Sequence, residues 1–179
     1  MSDDPILLDE QRVSEEREAQ SRRLRDRMLR EPIRMLNPRM PPVCVSFGDN
    51  ANHAIELMKE NAVGHVLVTS DGVLKGIVTE RDIVRKAAGF VAKTREILVE
   101  SIMTSDPECL GLDDPILFAL HRMGVHEYRH VPLVDSEMRP VGSISTRHVL
   151  RYLADLFADS VFNLPPTPES EIPSTREGA

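Results

Sequence analysis

The chain has no tryptophan, and aromatic residues make up only 4% of its 179 positions. Any core must therefore be aliphatic, and a hydrophobic content of 41% can supply one. That content argues against disorder over most of the chain. Cysteine is almost missing: Cys44 and Cys109 stand 65 positions apart, with no C-x-x-C pair. Neither a zinc knuckle nor a disulfide framework fits, and two buried free thiols are expected. A basic excess is missing too, since the net charge is −7. That balance argues against a nucleic-acid-binding face, but it leaves room for a small basic pocket that holds phosphates. No apolar run approaches the ~20 residues that span a bilayer. The start, MSDDPILLDEQ, is acidic and has no signal-peptide core. A soluble cytoplasmic protein is the expectation. There is no GxxxxGK[ST] loop and no nucleophile elbow or triad-like signature. His121, His126 and His130 have no cysteine or tight carboxylate pair to complete a metal site. No enzyme, cofactor or metal is expected.

What is present falls into four segments. Residues 1–32 form an N-terminal extension. From 10 to 30 it has no glycine or proline and is rich in helix formers. A sparse apolar stripe (Val13, Leu24, Met28, Leu29) predicts a mostly solvated helix that docks near its end, on the rest of the protein or on a second copy. The arginines from 22 to 30 read as a solvated face offset by nearby acids. Residues 158–179 are rich in Pro, Ser, Thr and Glu and predict a disordered tail. Residues 33–94 and 95–157 are two copies of one pattern. Cys44, Asp49, Ala54, Met58 and His65-Val66 recur 65 positions later as Cys109, Asp114, Ala119, Met123 and His130-Val131. After one inserted residue, Gly76, Thr79, Arg81 and Asp82 align with Gly142, Ser145, Arg147 and His148. A single offset shared by so many residue types establishes a duplication.

Each copy predicts β-α-β-β-α. A short strand (43–46; 109–111) precedes an acid, Asp49 or Asp114, placed to accept N–H groups at a helix start. Pro115 suits a first helical turn. Apolar residues at helical spacing follow: Ala54, Ile55 and Met58, then Ala119, Leu120 and Met123. The next strands are 65–68 and 130–134. A Ser70-Asp71-Gly72 turn leads into a third strand, 74–78, with 140–144 in the second copy. A last helix begins at Thr79 or Ser145. The fold class is α+β, with two β-α-β-β-α units packed together because neither could bury a small sheet alone.

The stretches "VGHVLVTSDGVLKGIVTERDIV" and "YRHVPLVDSEMRPVGSISTRHVL", with the Ala-x-x-x-Met helices, resemble the CBS domain, named for cystathionine β-synthase. Two in tandem resemble a Bateman module, and the resemblance covers roughly residues 33–156. It implies two units related by a pseudo-two-fold axis with two clefts between them. It also implies a sensor of an adenosine-containing ligand (AMP, ADP, ATP or S-adenosylmethionine), frequently a homodimer. No catalytic domain is attached, so any regulated target is expected to be a separate protein. A ligand-free scaffold is the alternative.

Thr79-x-x-Asp82 admits two readings. Thr79 can cap a helix, with Asp82 completing a near-capping box. The same geometry suits a ligand: free N–H groups face phosphate, and an ionised Asp accepts from both hydroxyls of a ribose. The family's ribose pattern, Gly-h-x-Thr/Ser-x-x-Asp/Asn, is met by Gly76, Thr79 and Asp82, with Gly76 giving room for close approach. In the second copy Gly142 and Ser145 fit, but His148 replaces the acid. A neutral imidazole cannot accept twice, so one nucleotide per chain is expected. Adenine is expected on Val66 and Ile77. His65, Arg81, Arg129, His130 and Arg147 are the remaining candidates, as phosphate contacts.

Overall fold

The structure, a computed structural model, describes residues 5–87 and 96–156. Helix α1 (Pro5–Arg30) leads into a short 3₁₀ turn, Ile33–Leu36. Strand β1 (Cys44–Ser46), helix α2 (Ala51–Glu60), strands β2 (His65–Ser70) and β3 (Val73–Thr79), and the short helix α3 (Glu80–Asp82) make the first copy. A π-helical turn, Ile83–Ala87, extends α3. Helix α4 (Val99–Ile102) and strand β4 (Thr104–Ser105) open the second copy. Helix α5 (Ile116–Val125), strands β5 (His130–Val134) and β6 (Pro140–Ser145), and helix α6 (Thr146–Leu156) complete it. No helix among the described residues is long and apolar enough to cross a membrane. The tail expected at 158–179 lies outside the described residues.

The first sheet has the order β1-β2-β3-β4, with β1 parallel to β2 and the other pairs antiparallel. All four residues from His65 to Val68 are buried, as a strand covered on both faces requires. Asp71 (φ 52°) and Gly72 (φ 79°) turn the β2–β3 hairpin in the left-handed region, where Asp-Gly is favoured. The second sheet is reduced. Only β5 and β6 form a ladder, and the expected strand at 109–111 shrinks to a single bridge, Leu110 to Leu133. The cause is Pro132. In the first copy Leu67 N–H donates to Val43 O at 2.9 Å. Pro132 occupies the equivalent position and has no N–H to give.

The helix starts correct a second expectation. Asp49 and Asp114 do not cap. Their carboxylates turn back onto the preceding loop and accept from Ser46 N–H (2.9 Å) and Gly111 N–H (2.7 Å). Asn50 caps α2 through His53 N–H, and Pro115 stands at the cap of α5 rather than in its first turn. The cysteines are free, but Cys44 is exposed. Alternation along the edge strand β1 turns Val45 inward and Cys44 outward.

The cores do not follow the order of the sequence. Ile33 and Leu36, which open the first copy, pack with Ile116, Val131, Leu133 and Ile144 of the second. Val99 and Ile102, which open the second copy, pack with Ala54, Val66, Val68 and Val78 of the first. The exchange is reciprocal in hydrogen bonds as well. Ile116 N–H donates to Glu31 O (2.9 Å), and Ala51 N–H donates to Ile97 O (2.7 Å). Each long helix is thus started by a carbonyl from the other copy's lead segment, which satisfies an N–H that would otherwise have no partner. Helix α1 docks by its C-terminal end: Met28 is buried in the second core while Leu29 stays exposed.

Candidate functional site

The crossed lead segments bring the strand starts of the two copies together. His65 begins β2 and His130 begins β5, and their rings stack with centroids 4.3 Å apart. A cleft opens on either side of this pair. The smaller, about 300 Å³, is lined by Ile77, Thr79, Arg81 and Asp82 of the first copy and by Tyr128, Arg129 and His130 of the second. The larger, about 1100 Å³, carries His65, Ser145, Arg147 and His148. Arg129 and His130 line both. Ten of the expected site residues therefore meet in the two clefts. The eleventh, Val66, does not: it has no exposure and sits in the first core. Strand alternation explains the correction, because His65 takes the cleft side and its neighbour must face the core.

At the smaller cleft, Thr79 caps α3 in a full capping box. Asp82 Oδ2 accepts from Thr79 N–H (3.0 Å) and from Thr79 Oγ1 (2.6 Å), while Thr79 Oγ1 accepts from Asp82 N–H (3.3 Å). Among the described residues, the second carboxylate oxygen, Oδ1, meets only Lys86 Nζ, at 3.2 Å. The capping reading is thus realised, and half of the carboxylate keeps acceptor capacity. Sequence reasoning missed the opposite wall. His126 and Tyr128 stack at 5.4 Å, and both line this cleft with Pro107 and Glu108. Their signal was weak, since "GVHEYRH" reads as an ordinary polar turn.

At the larger cleft, His148 takes the place of the acid and copies its capping contact. Its Nδ1 accepts from Ser145 N–H (2.9 Å) and lies 3.0 Å from Ser145 Oγ. An accepting Nδ1 carries no hydrogen, so the neutral ring presents Nε2–H. Burial lowers the pKa of His148, and Arg151 and Arg147 lower it further. Burial likewise brings His65 down to about 3, aided by His130 and Arg39, and His130 down to about 4, aided by Arg129.

Gly76 and Gly142 serve the fold. A Cβ at Gly76 would lie 2.9 Å from Met103 Cγ and 3.1 Å from Thr104 O. One at Gly142 would lie 3.0 Å from Arg39 O. Both glycines admit the other copy's lead segment, so the room expected for a ligand at Gly76 is filled by β4.

The sequence profile of the CBS domain matches residues 33–89 and 99–155, more than half of the chain. The chain belongs to the CBS domain family. A CBS domain-containing protein of Arabidopsis thaliana, CBSCBSPB1, is 33% identical over 127 residues, which cover 70% of this chain and 23% of that protein. This chain thus spans about a quarter of that relative's length. The CBS domain pair of protein MJ0100, solved with 5′-methylthioadenosine and S-adenosyl-L-methionine, superposes with a TM-score of 0.61 at 22% identity, covering 70% of this chain and 98% of that one. CBSX2 in complex with AMP superposes with a TM-score of 0.56 at 23% identity, covering 66% and 92%. At these identities the two structures support the shared fold. CBS pairs are nucleotide- and S-adenosylmethionine-binding modules, regulatory rather than catalytic.

Proposed function

We propose that this CBS pair is a regulatory module that binds an adenosine-containing ligand in the smaller cleft. The observation that carries the reading is the position of Asp82: a capped carboxylate in the cleft wall with Oδ1 still able to accept. Asp82 receives the ribose hydroxyls. Adenine lies between Ile77 and the stacked His126–Tyr128 pair, which supply apolar and aromatic surface. Arg129 and His130, from the other copy, reach the 5′ substituent. A ligand that touches both copies favours one arrangement of them over another, which is the means of regulation. The output passes to a separate protein or to a second copy of this chain.

Charge narrows the ligand. Asp82, Glu80, Glu108 and Glu127 line this cleft against Arg81 and Arg129. Such a wall disfavours a triphosphate and favours S-adenosylmethionine or AMP over ATP. A thermal-shift panel of these ligands, with ADP included, tests the reading. At a hundredfold excess over Kd the binder stabilises the fold by about 2.7 kcal/mol, and ATP shifts it least. A complete capping box also serves a ligand-free scaffold, and no shift with any of the four would favour that alternative.

A further inference from the structure

The larger cleft has the opposite character. Arg39, Lys59, Arg129, Arg147 and Arg151 line it, and Glu80 is the one carboxylate among its lining residues. Two polar atoms in this wall are buried without a hydrogen-bond partner, Arg39 Nε and His65 Nδ1. His65 as a whole is only 7% exposed. Burying a guanidinium N–H without an acceptor is costly, and at Arg39 Nε it leaves the positive charge behind this wall without local compensation. The wall has few acceptors of its own. His148 Nδ1, at the place of the ribose-binding acid, is already occupied by Ser145 N–H. A ribose would find no carboxylate at that position, whereas phosphoryl oxygens would find donors on several sides.

We propose that the larger cleft binds a compact polyphosphate, held by Arg39, Arg129 and Arg151 with the imidazoles of His65 and His130, and without a ribose contact. The spread of cations around about 1100 Å³ suits several linked phosphoryl groups better than a single one. The neutral histidines serve as N–H donors while the arginines carry the charge. Because Arg129 and His130 also line the adenosine cleft, the two ligands compete for them or share them. The chain then reads two chemically different molecules through one wall. This site does not depend on the role given to Asp82.

The test is a calorimetric titration of the full chain with sodium tripolyphosphate, and separately with adenosine. Wild type and Asp82→Ala should both bind one tripolyphosphate per chain. Adenosine should bind wild type and not Asp82→Ala. Arg39→Gln combined with Arg151→Gln should weaken tripolyphosphate at least about tenfold, the worth of one charge-assisted hydrogen bond. Circular dichroism checks the fold of each variant. If the pair of changes unfolds the chain, Arg151→Gln alone, at an exposed position, should still weaken binding. No binding to folded wild type, or undiminished binding in the arginine variants, overturns the proposal. Loss of tripolyphosphate binding in Asp82→Ala also overturns it, by moving the phosphates to the smaller cleft. Failure of adenosine alone counts against the Asp82 reading and leaves the polyphosphate result to stand on its own.

Discussion

The two copies start their last helices in the same way and present different chemistry. Thr79 and Ser145 stand at equivalent places, and each backbone N–H donates to the side chain three residues on. In the first copy that acceptor is a carboxylate with an oxygen to spare. In the second it is an imidazole whose accepting nitrogen is used up by the cap. The helix is indifferent to this exchange, because either group satisfies the same N–H. The cleft is not. One atom's worth of acceptor capacity separates the wall proposed to hold a ribose from its counterpart. Duplication therefore keeps what the backbone needs and leaves the ligand-facing valence free to diverge.

The lead segments offer the strongest way to break this picture. Ile33 and Val99 are equivalent, fully buried, and each sits in the other copy's core. Ile33→Ala should cost about 2–5 kcal/mol in urea unfolding, and Val99→Ala less, since fewer methyl groups are lost. Hydrogen exchange should locate the damage across the exchange: in β5 and β6 for Ile33→Ala, in β2 and β3 for Val99→Ala. Damage confined to the neighbouring copy in sequence would contradict the crossing.

Asp82→Ala removes the acceptor from a capping box and should cost about 0.5–2 kcal/mol. His148→Ala removes a single, half-buried acceptor and should cost less. Equal losses would mean that the two caps are energetically alike after all.

The stacked histidines give a pH signature. In the unfolded chain both titrate near 6.5, while in the fold burial holds His65 near 3 and His130 near 4. Between those limits the unfolded state binds more protons, so stability is full above about pH 6.5 and falls as pH drops toward 4. The melting temperature should decline from pH 7 to pH 5. His65→Phe, which keeps a ring in the stack, should flatten that decline. A slope unchanged by the substitution would assign it to other groups.

The smallest structural change carries the sharpest chemical one. His148→Asp keeps an acceptor for Ser145 N–H and should barely alter stability. It restores the missing carboxylate, so the chain should bind two adenosine ligands where wild type binds one. A stoichiometry that stays at one would show that more than this acceptor separates the clefts.

Much of this was legible because a shared offset is insensitive to detail. It exposed the duplication, the starts of the last helices at Thr79 and Ser145, and the departure at His148. It could not expose the crossing, since Ile33–Leu36 and Val99–Ile102 are short apolar patches that fit either core. Arg39 was missed for that reason: only the crossing, which pairs it with Ser143, carries it to the larger cleft. Gly76 was tied to a ligand because the contact that needs it, with Met103 and Thr104, lies across the same exchange. Val66 was misplaced by one position of strand alternation. Asp49 was read as a cap because a carboxylate near a helix start can serve either the helix or the loop before it, and spacing alone does not choose.

Asp82 is the hinge of the account, and calorimetry tests it most directly. S-adenosylmethionine should bind wild type with one site per chain, and Asp82→Ala, folded by circular dichroism at the same temperature, should show no saturable heat. Undiminished binding in Asp82→Ala would contradict the claim that the first copy's carboxylate grips the ribose, and would leave Asp82 as a helix cap alone.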